Sequence, residues 1–137
     1  NGFEYGDLAW QIDKSKPVGI LPKGAKIQGY DVDGGQPEEL RRVAFKIPPG
    51  FVVYTWEGLQ GPIAAAEMAH RAGYTDIWDE CDKALLRAVQ FNYRQGWAAE
   101  GDDKWVVPII NRAYGVNFPV TGGGAGKNVG WSLWTHQ

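Results

Sequence analysis

Cysteine, histidine and long apolar runs are nearly missing from this chain, and each shortage removes a class of function. A single cysteine, Cys81, can form no internal disulfide and cannot build a cysteine-rich metal site. Its place in a helical pattern predicts a small packed side chain. The two histidines, His70 and His136, lie far apart, and neither has a second ligand at helical or turn spacing, so no metal and no cofactor are expected. His70 reads instead as an exposed late-helix residue that complements the helix dipole. No run of about 18 apolar residues is present to span a bilayer, and residues 1–10 lack the basic-then-apolar order of a signal peptide. Positive charge is not in excess either. A net charge of −2 supplies no global field for nucleic acid or an anionic membrane surface, so a polyanionic substrate would need a local basic cluster. The GxSxG, P-loop and dinucleotide fingerprints are also absent. Gly122-Gly123-Gly124-Ala125-Gly126-Lys127 looks superficially like a phosphate loop, but no strand leads into it and no Ser or Thr follows the lysine.

What the chain does have is aromatic side chains and turns, with 7 Trp, 6 Tyr and 19 Gly in 137 residues, a length that fits one domain or part of one. So many indoles imply a very aromatic core or a surface that stacks on flat ligands such as sugars. Hydrophobic residues at 44% and charged residues at 22% fit a globular chain and argue against a disordered or fibrous one.

Turn chemistry is concentrated in residues 1–53, at Lys16-Pro17, Leu21-Pro22-Lys23-Gly24, Asp33-Gly34-Gly35 and Pro48-Pro49-Gly50. This predicts a long loop-rich arm with short strands at 18–20 and 25–30 and one helical turn at 37–42, opened by Pro37 with Glu38 and Glu39 behind it. From Tyr54 the spacing becomes helical. Leu59, Ile63, Ala66 and Ala69 predict a helix over about 56–72, stopped by Gly73. Thr75 or Asp76 then opens a second, in which Ile77, Cys81, Leu85, Ala88, Val89 and Tyr93 keep the spacing to about 95. The short link makes the two a helical hairpin. A third helix is expected over 103–113, so that residues 54–114 form a hairpin plus one helix. Residues 115–137 read as a Gly/Trp-rich tail docking through Trp131 and Trp134. The class is mainly α. Two and a half helices and an irregular arm do not close a convincing core, which implies further chain upstream.

One constellation carries chemistry. Arg41, Arg42, Tyr54, Trp56 and Glu57 put cations, a phenol and aromatic faces at the entrance of the first helix. Arginine forks match carboxylates in bidentate fashion, and a cation beside a phenol favours its ionised form. β-Elimination on a uronate needs these parts: a neutralised carboxylate, a group that removes the adjacent proton, and one that protonates the departing oxygen. Taken by spacing alone, two arginines on a solvated turn are the commoner arrangement. Asp31, Asp33, Glu38, Glu39 and Glu57 could instead supply the acid and base of a glycoside hydrolase, but nothing in the sequence sets two of them at the required separation.

Several blocks in order resemble the second half of the alginate lyase family of helical-toroid polysaccharide lyases: Asp33 to Arg42, Val53 to Gly61, Ala69 to Tyr74 with Asp76-Ile77-Trp78, Ala99 to Trp105, Tyr114 to Pro119, and Gly126 to Trp131 with Trp134-Thr135-His136. The resemblance covers about residues 31–136. It implies a piece of an (α/α) toroid, an incomplete barrel of helical hairpins, that cleaves a uronate-containing acidic polysaccharide such as alginate or glucuronan. By that resemblance Tyr54 is the catalytic acid and base and Arg41 or Arg42 the carboxylate neutraliser, with Trp56, Glu57, Trp105, Asn111 and Tyr114 as candidate sugar contacts. Trp10 and Tyr30 fall in a segment that can line the groove. A secreted or periplasmic location follows from the family's substrates. Its members also use a histidine, often beside an asparagine, on an earlier helix, and neither His70 nor His136 matches it. The implied partner is therefore a missing N-terminal half of the same enzyme. The alternative is a non-catalytic carbohydrate-binding or interaction domain on the same scaffold.

Overall fold

In a computed structural model the chain is described over residues 8–120; the expected tail contacts of Trp131 and Trp134, the glycine run and His136 lie outside the described residues. Two short antiparallel strands, β1 (Lys26–Ile27) and β2 (Tyr30–Asp31), form a hairpin with Lys26 opposite Asp31. Among the described residues the helices are α1 (Pro37–Leu40), α2 (Tyr54–Arg71), α3 (Glu80–Arg94) and α4 (Val106–Tyr114), with 3₁₀ turns at Ile77–Asp79 and Gly101–Trp105 leading into the last two. The fold is mainly α, as the periodicity predicts. The strand expected at 18–20 does not form. Instead the Gln11 side-chain amide exchanges two hydrogen bonds with the Val18 backbone, Nε2 to O at 2.9 Å and N to Oε1 at 3.0 Å, satisfying groups a neighbouring strand would otherwise take.

α2 buries Leu59, Ile63 and Ala66 against α3 and α4. It stops where expected: Gly73, at φ +102°, turns the chain, and the Tyr74 N–H returns to the Ala69 carbonyl at 3.1 Å. Trp56, Leu59 and Ile63 join Trp78, Val89 and Ile110 in a core between the three long helices.

The arm has a core of its own. Trp10, Leu21, Val32, Leu40 and Val52 close on Phe91 of α3 and on Trp97. Their spacing follows no period, because each is delivered by a turn rather than by one face of an element. The described residues therefore bury two apolar clusters, which corrects the expectation that helices and arm close no convincing core.

The second predicted helix differs at its start. Cys81, Asp82 and Lys83 are left-handed at φ 52°, 55° and 57°, so the right-handed run begins after them. Cys81 is exposed rather than packed. Left-handed backbone costs about 1–2 kcal/mol per residue outside glycine. What holds it is Arg87, whose guanidinium donates to the Cys81 carbonyl at 2.9 Å and the Asp82 carbonyl at 2.8 Å.

The same guanidinium joins the arm to α3. Its Nη1 donates to the Leu21 carbonyl and to Asp33 Oδ1, both at 2.7 Å, and the residue is buried. Burial alone would raise the Asp33 carboxyl. Hydrogen bonds from the Gly24 N–H and from Arg87, with the charges of Arg87 and Arg94, outweigh that and hold it below its ordinary value of 3.8. Glu38 is likewise held below 4.5, chiefly by its hydrogen bond from Arg41, with burial opposing and the charges of Arg41 and Arg42 assisting. Both folded values lie below the unfolded ones, so both contributions are complete above the unfolded values and fade as pH falls through the folded ones. Urea melts at stepped pH are expected to lose stability below pH 4.5 through Glu38, then below 3.8 through Asp33. Asp33→Asn should flatten the lower limb. An unchanged limb would show that the Asp33–Arg87 pair contributes nothing to it.

Candidate functional site

Two short-range fits seat α1 on the first turn of α2. The buried Gln36 side chain donates from Nε2 to the Thr55 carbonyl at 2.7 Å. Gly58 leaves room for it: a Cβ there would stand 2.8 Å from Gln36 Oε1 and 3.1 Å from Glu39 Cγ. α1 consequently delivers its two trailing arginines to the start of α2, where Tyr54 is the first residue and is 47% exposed. The Arg42 guanidinium carbon lies 4.8 Å from the centroid of the Tyr54 ring.

Both arginines have carboxylate partners nearby. Arg41, mostly buried, grips Glu38 through Nε at 2.7 Å and through Nη2. Arg42 pairs through Nε with Glu39 at 2.7 Å, and 41% of its side chain remains in solvent. Of the two, Arg42 is the one set both over the phenol and toward solvent. The combination of an exposed phenol and an exposed guanidinium in contact is the part of the sequence constellation that the fold brings together.

The other predicted contacts separate. Trp56 is 1% exposed, donates from Nε1 to the Trp97 carbonyl at 2.9 Å and meets Tyr93 edge-on, so it is a core side chain and not a sugar platform. Trp10 is buried too. Tyr30 donates its hydroxyl to Gln95 Oε1 at 2.8 Å. Asn111 spends both ends of its amide on the Phe118 backbone, at 3.0 and 2.8 Å, which ties down the chain after α4. Tyr114 donates to the Trp78 carbonyl at 2.6 Å, and burial pushes its hydroxyl up to about 12. Tyr114 lines a pocket with Ala66 and Ala69, which lie about 18–22 Å along α2 from Tyr54 at the usual helical rise. Trp105 packs against the helical core.

Glu57 faces elsewhere as well. Its carboxylate gathers with those of Asp102 and Asp103, ligand atoms within 4.8 Å of one another, and Gln60 bridges to Asp103 at 2.6 Å. Sequence spacing offered no cluster able to hold a cation. The fold assembles this one from two distant segments, and among the described residues these three carboxylates are the group that could hold one. The hydrolase carboxylates are otherwise engaged: Asp33 with Arg87, and Glu38 and Glu39 with the arginines.

A cleft of about 690 Å³ lies between α1, α2, the start of α3 and the loop at 18–23, lined by Glu38, Glu39, Gly58 and Leu59 but not by Tyr54, Arg41 or Arg42. The phenol and its arginine thus sit on open surface. Two further exposed aromatic residues that sequence reasoning missed stand between Arg42 and Tyr54 in the chain, Phe45 at 43% and Phe51 at 60% exposure. The available signal was the interleaving of rings and cations from Arg42 to Tyr54. No protein-family model, curated protein or solved structure matches the chain.

Proposed function

We propose that the surface at Tyr54 belongs to a polysaccharide lyase that cleaves a uronate-containing glycan by β-elimination, on an (α/α) toroid completed by further chain that brings a histidine. The observation that carries this reading is the Arg42 guanidinium held 4.8 Å from the ring of a half-exposed tyrosine at a helix start. Arg42 pairs with the substrate carboxylate through the part of its fork left in solvent, which makes the proton on the neighbouring carbon acidic. Tyr54, as phenolate, takes that proton. The electron pair of the broken C–H bond becomes the ring double bond, the C–O bond to the next sugar breaks, and the Tyr54 hydroxyl returns the proton to the departing oxygen. Arg41, turned inward on Glu38, positions α1 instead of meeting the sugar. Trp56, Trp105, Asn111 and Tyr114 take structural roles in this reading.

A second reading has its own support. Because Glu38 and Glu39 already pair with the arginines, the surface could hold acidic glycan without performing chemistry on it. Ultraviolet absorbance of the conjugated product separates the two. The chain, and the intact protein that carries it, are incubated with alginate, glucuronan and a neutral glycan. A rise with one polyuronate supports the lyase. Saturable binding of a polyuronate with no rise in either protein would leave the binding domain.

A further inference from the structure

Phe45 and Phe51 leave large apolar areas in water, where burial would be favoured, yet both rings are firmly mounted. Phe51 stands edge-on to Trp97, centroids 5.8 Å apart and planes at 79°, and Trp97 is edge-on in turn to the fully buried Phe91 at 5.7 Å. Phe45 meets the fully buried Trp10 at 4.9 Å and 60°. Trp10, Phe91 and Trp97 share one core cluster, so both exposed rings rest on the same close-packed base. The Lys46 side chain spans the stretch between them. A Cβ on Gly50 would lie 3.1 Å from Lys46 Cε and 3.7 Å from its Nζ, which brings the ammonium beside the residue that precedes Phe51. Arg42 and Tyr54, guanidinium over ring, bracket the same stretch in sequence.

We propose that Phe45, Lys46 and Phe51 form a second sugar subsite, seating the uronate next to the one whose carboxylate meets Arg42. Phe45 and Phe51 stack on the flat C–H faces of the pyranose, and the Lys46 ammonium pairs with its carboxylate. The repeated supply of cation and ring argues for a polymer. A ligand with one carboxylate needs one cation, whereas here two cations, at 42 and 46, are interspersed with three rings, at 45, 51 and 54. An acidic glycan repeats a flat apolar face and a carboxylate once per residue, which is the matching pattern. The inference rests on reading this surface as an acidic-glycan site, but not on its chemistry.

The test is calorimetric titration of the whole chain with the monomeric uronates and the tetrasaccharides of alginate and of glucuronan, at two salt concentrations. The tetrasaccharide of the preferred polymer is expected to bind about tenfold tighter than the monomer, and Phe51→Ala to remove about tenfold of its affinity while sparing the monomer. Lys46→Gln should weaken the tetrasaccharide about threefold and make its binding less dependent on salt. Both side chains are at the surface, and unchanged thermal melting would verify that the variants fold. If wild-type chain binds the tetrasaccharide and neither substitution weakens it, the subsite is overturned while the acidic-glycan reading stands. If neither the wild-type chain nor the intact protein that carries it binds an oligouronate, that reading fails and the subsite falls with it.

Discussion

Gly34→Ala is expected to destabilise the protein by about 4 kcal/mol or more, a large share of the roughly 5–15 kcal/mol that keeps a typical domain folded. Gly34 has φ +82°, where a side chain adds strain, and a Cβ there would sit 2.1 Å from the Arg87 carbonyl oxygen, 2.4 Å from its carbon and 2.9 Å from the Ala88 nitrogen. Those are backbone atoms of α3. They cannot rotate away as a long side chain could, so either the arm lifts off the helix or α3 deforms. Lifting the arm would pull Asp33 from Arg87 and leave a buried guanidinium without its carboxylate. Gly24→Ala is the matched control. Gly24 also has positive φ, at +75°, but a Cβ there would meet nothing within 4 Å. The control should therefore cost about 1 kcal/mol, the backbone term alone. Denaturant melts of both variants measure the difference. Equal losses would mean that the arm does not approach α3 as closely as described.

The contrast between Gly34 and Gly24 bears on how much of this fold a reader of the sequence can reach. Both stand in turn-rich stretches, and only the tertiary approach to α3 separates them. α2 was legible because Leu59, Ile63 and Ala66 repeat on one face and Gly73 ends it locally. The start of α3 was not, since the left-handed turn at Cys81 depends on carbonyl partners offered by Arg87, which helical spacing does not encode. Nor was the arm's core, whose residues reach Phe91 and Trp97 through separate turns.

At the site, the meeting of Arg42 and Tyr54 could be anticipated because α1 and the first turn of α2 are close in sequence. Trp56 shows the limit of that reasoning. It belongs to the same run of residues, yet its indole N–H finds the Trp97 carbonyl across the core, so this candidate sugar contact is turned inward. The exposed rings, at Phe45 and Phe51, come from residues whose type alone predicts burial. The carboxylates at Glu57, Asp102 and Asp103 converge only once α2 meets the turn before α4.

Tyr54→Phe in the intact protein is expected to cut the rate of unsaturated product formation by about 10⁴-fold or more, since one hydroxyl serves both proton transfers and each is typically worth 10²–10⁴. The change removes a single oxygen from a ring that is 47% exposed, so the melting transition should move by no more than about 0.5 kcal/mol. KM should hold steady, because the cations and rings that would grip the sugar are untouched. Arg42→Lys supplies the complementary test. Lysine keeps the charge but gives up the planar fork that both lies over the Tyr54 ring and matches a carboxylate, so KM should rise and kcat fall together. The two variants thus divide the proposed roles between the kinetic constants, a division that damage to folding would not produce. Wild-type turnover in Tyr54→Phe would remove the phenol from the chemistry. With saturable polyuronate binding intact, the pairing of both arginines with Glu38 and Glu39 would then be the better guide, and the surface would be one that holds acidic glycan without cutting it.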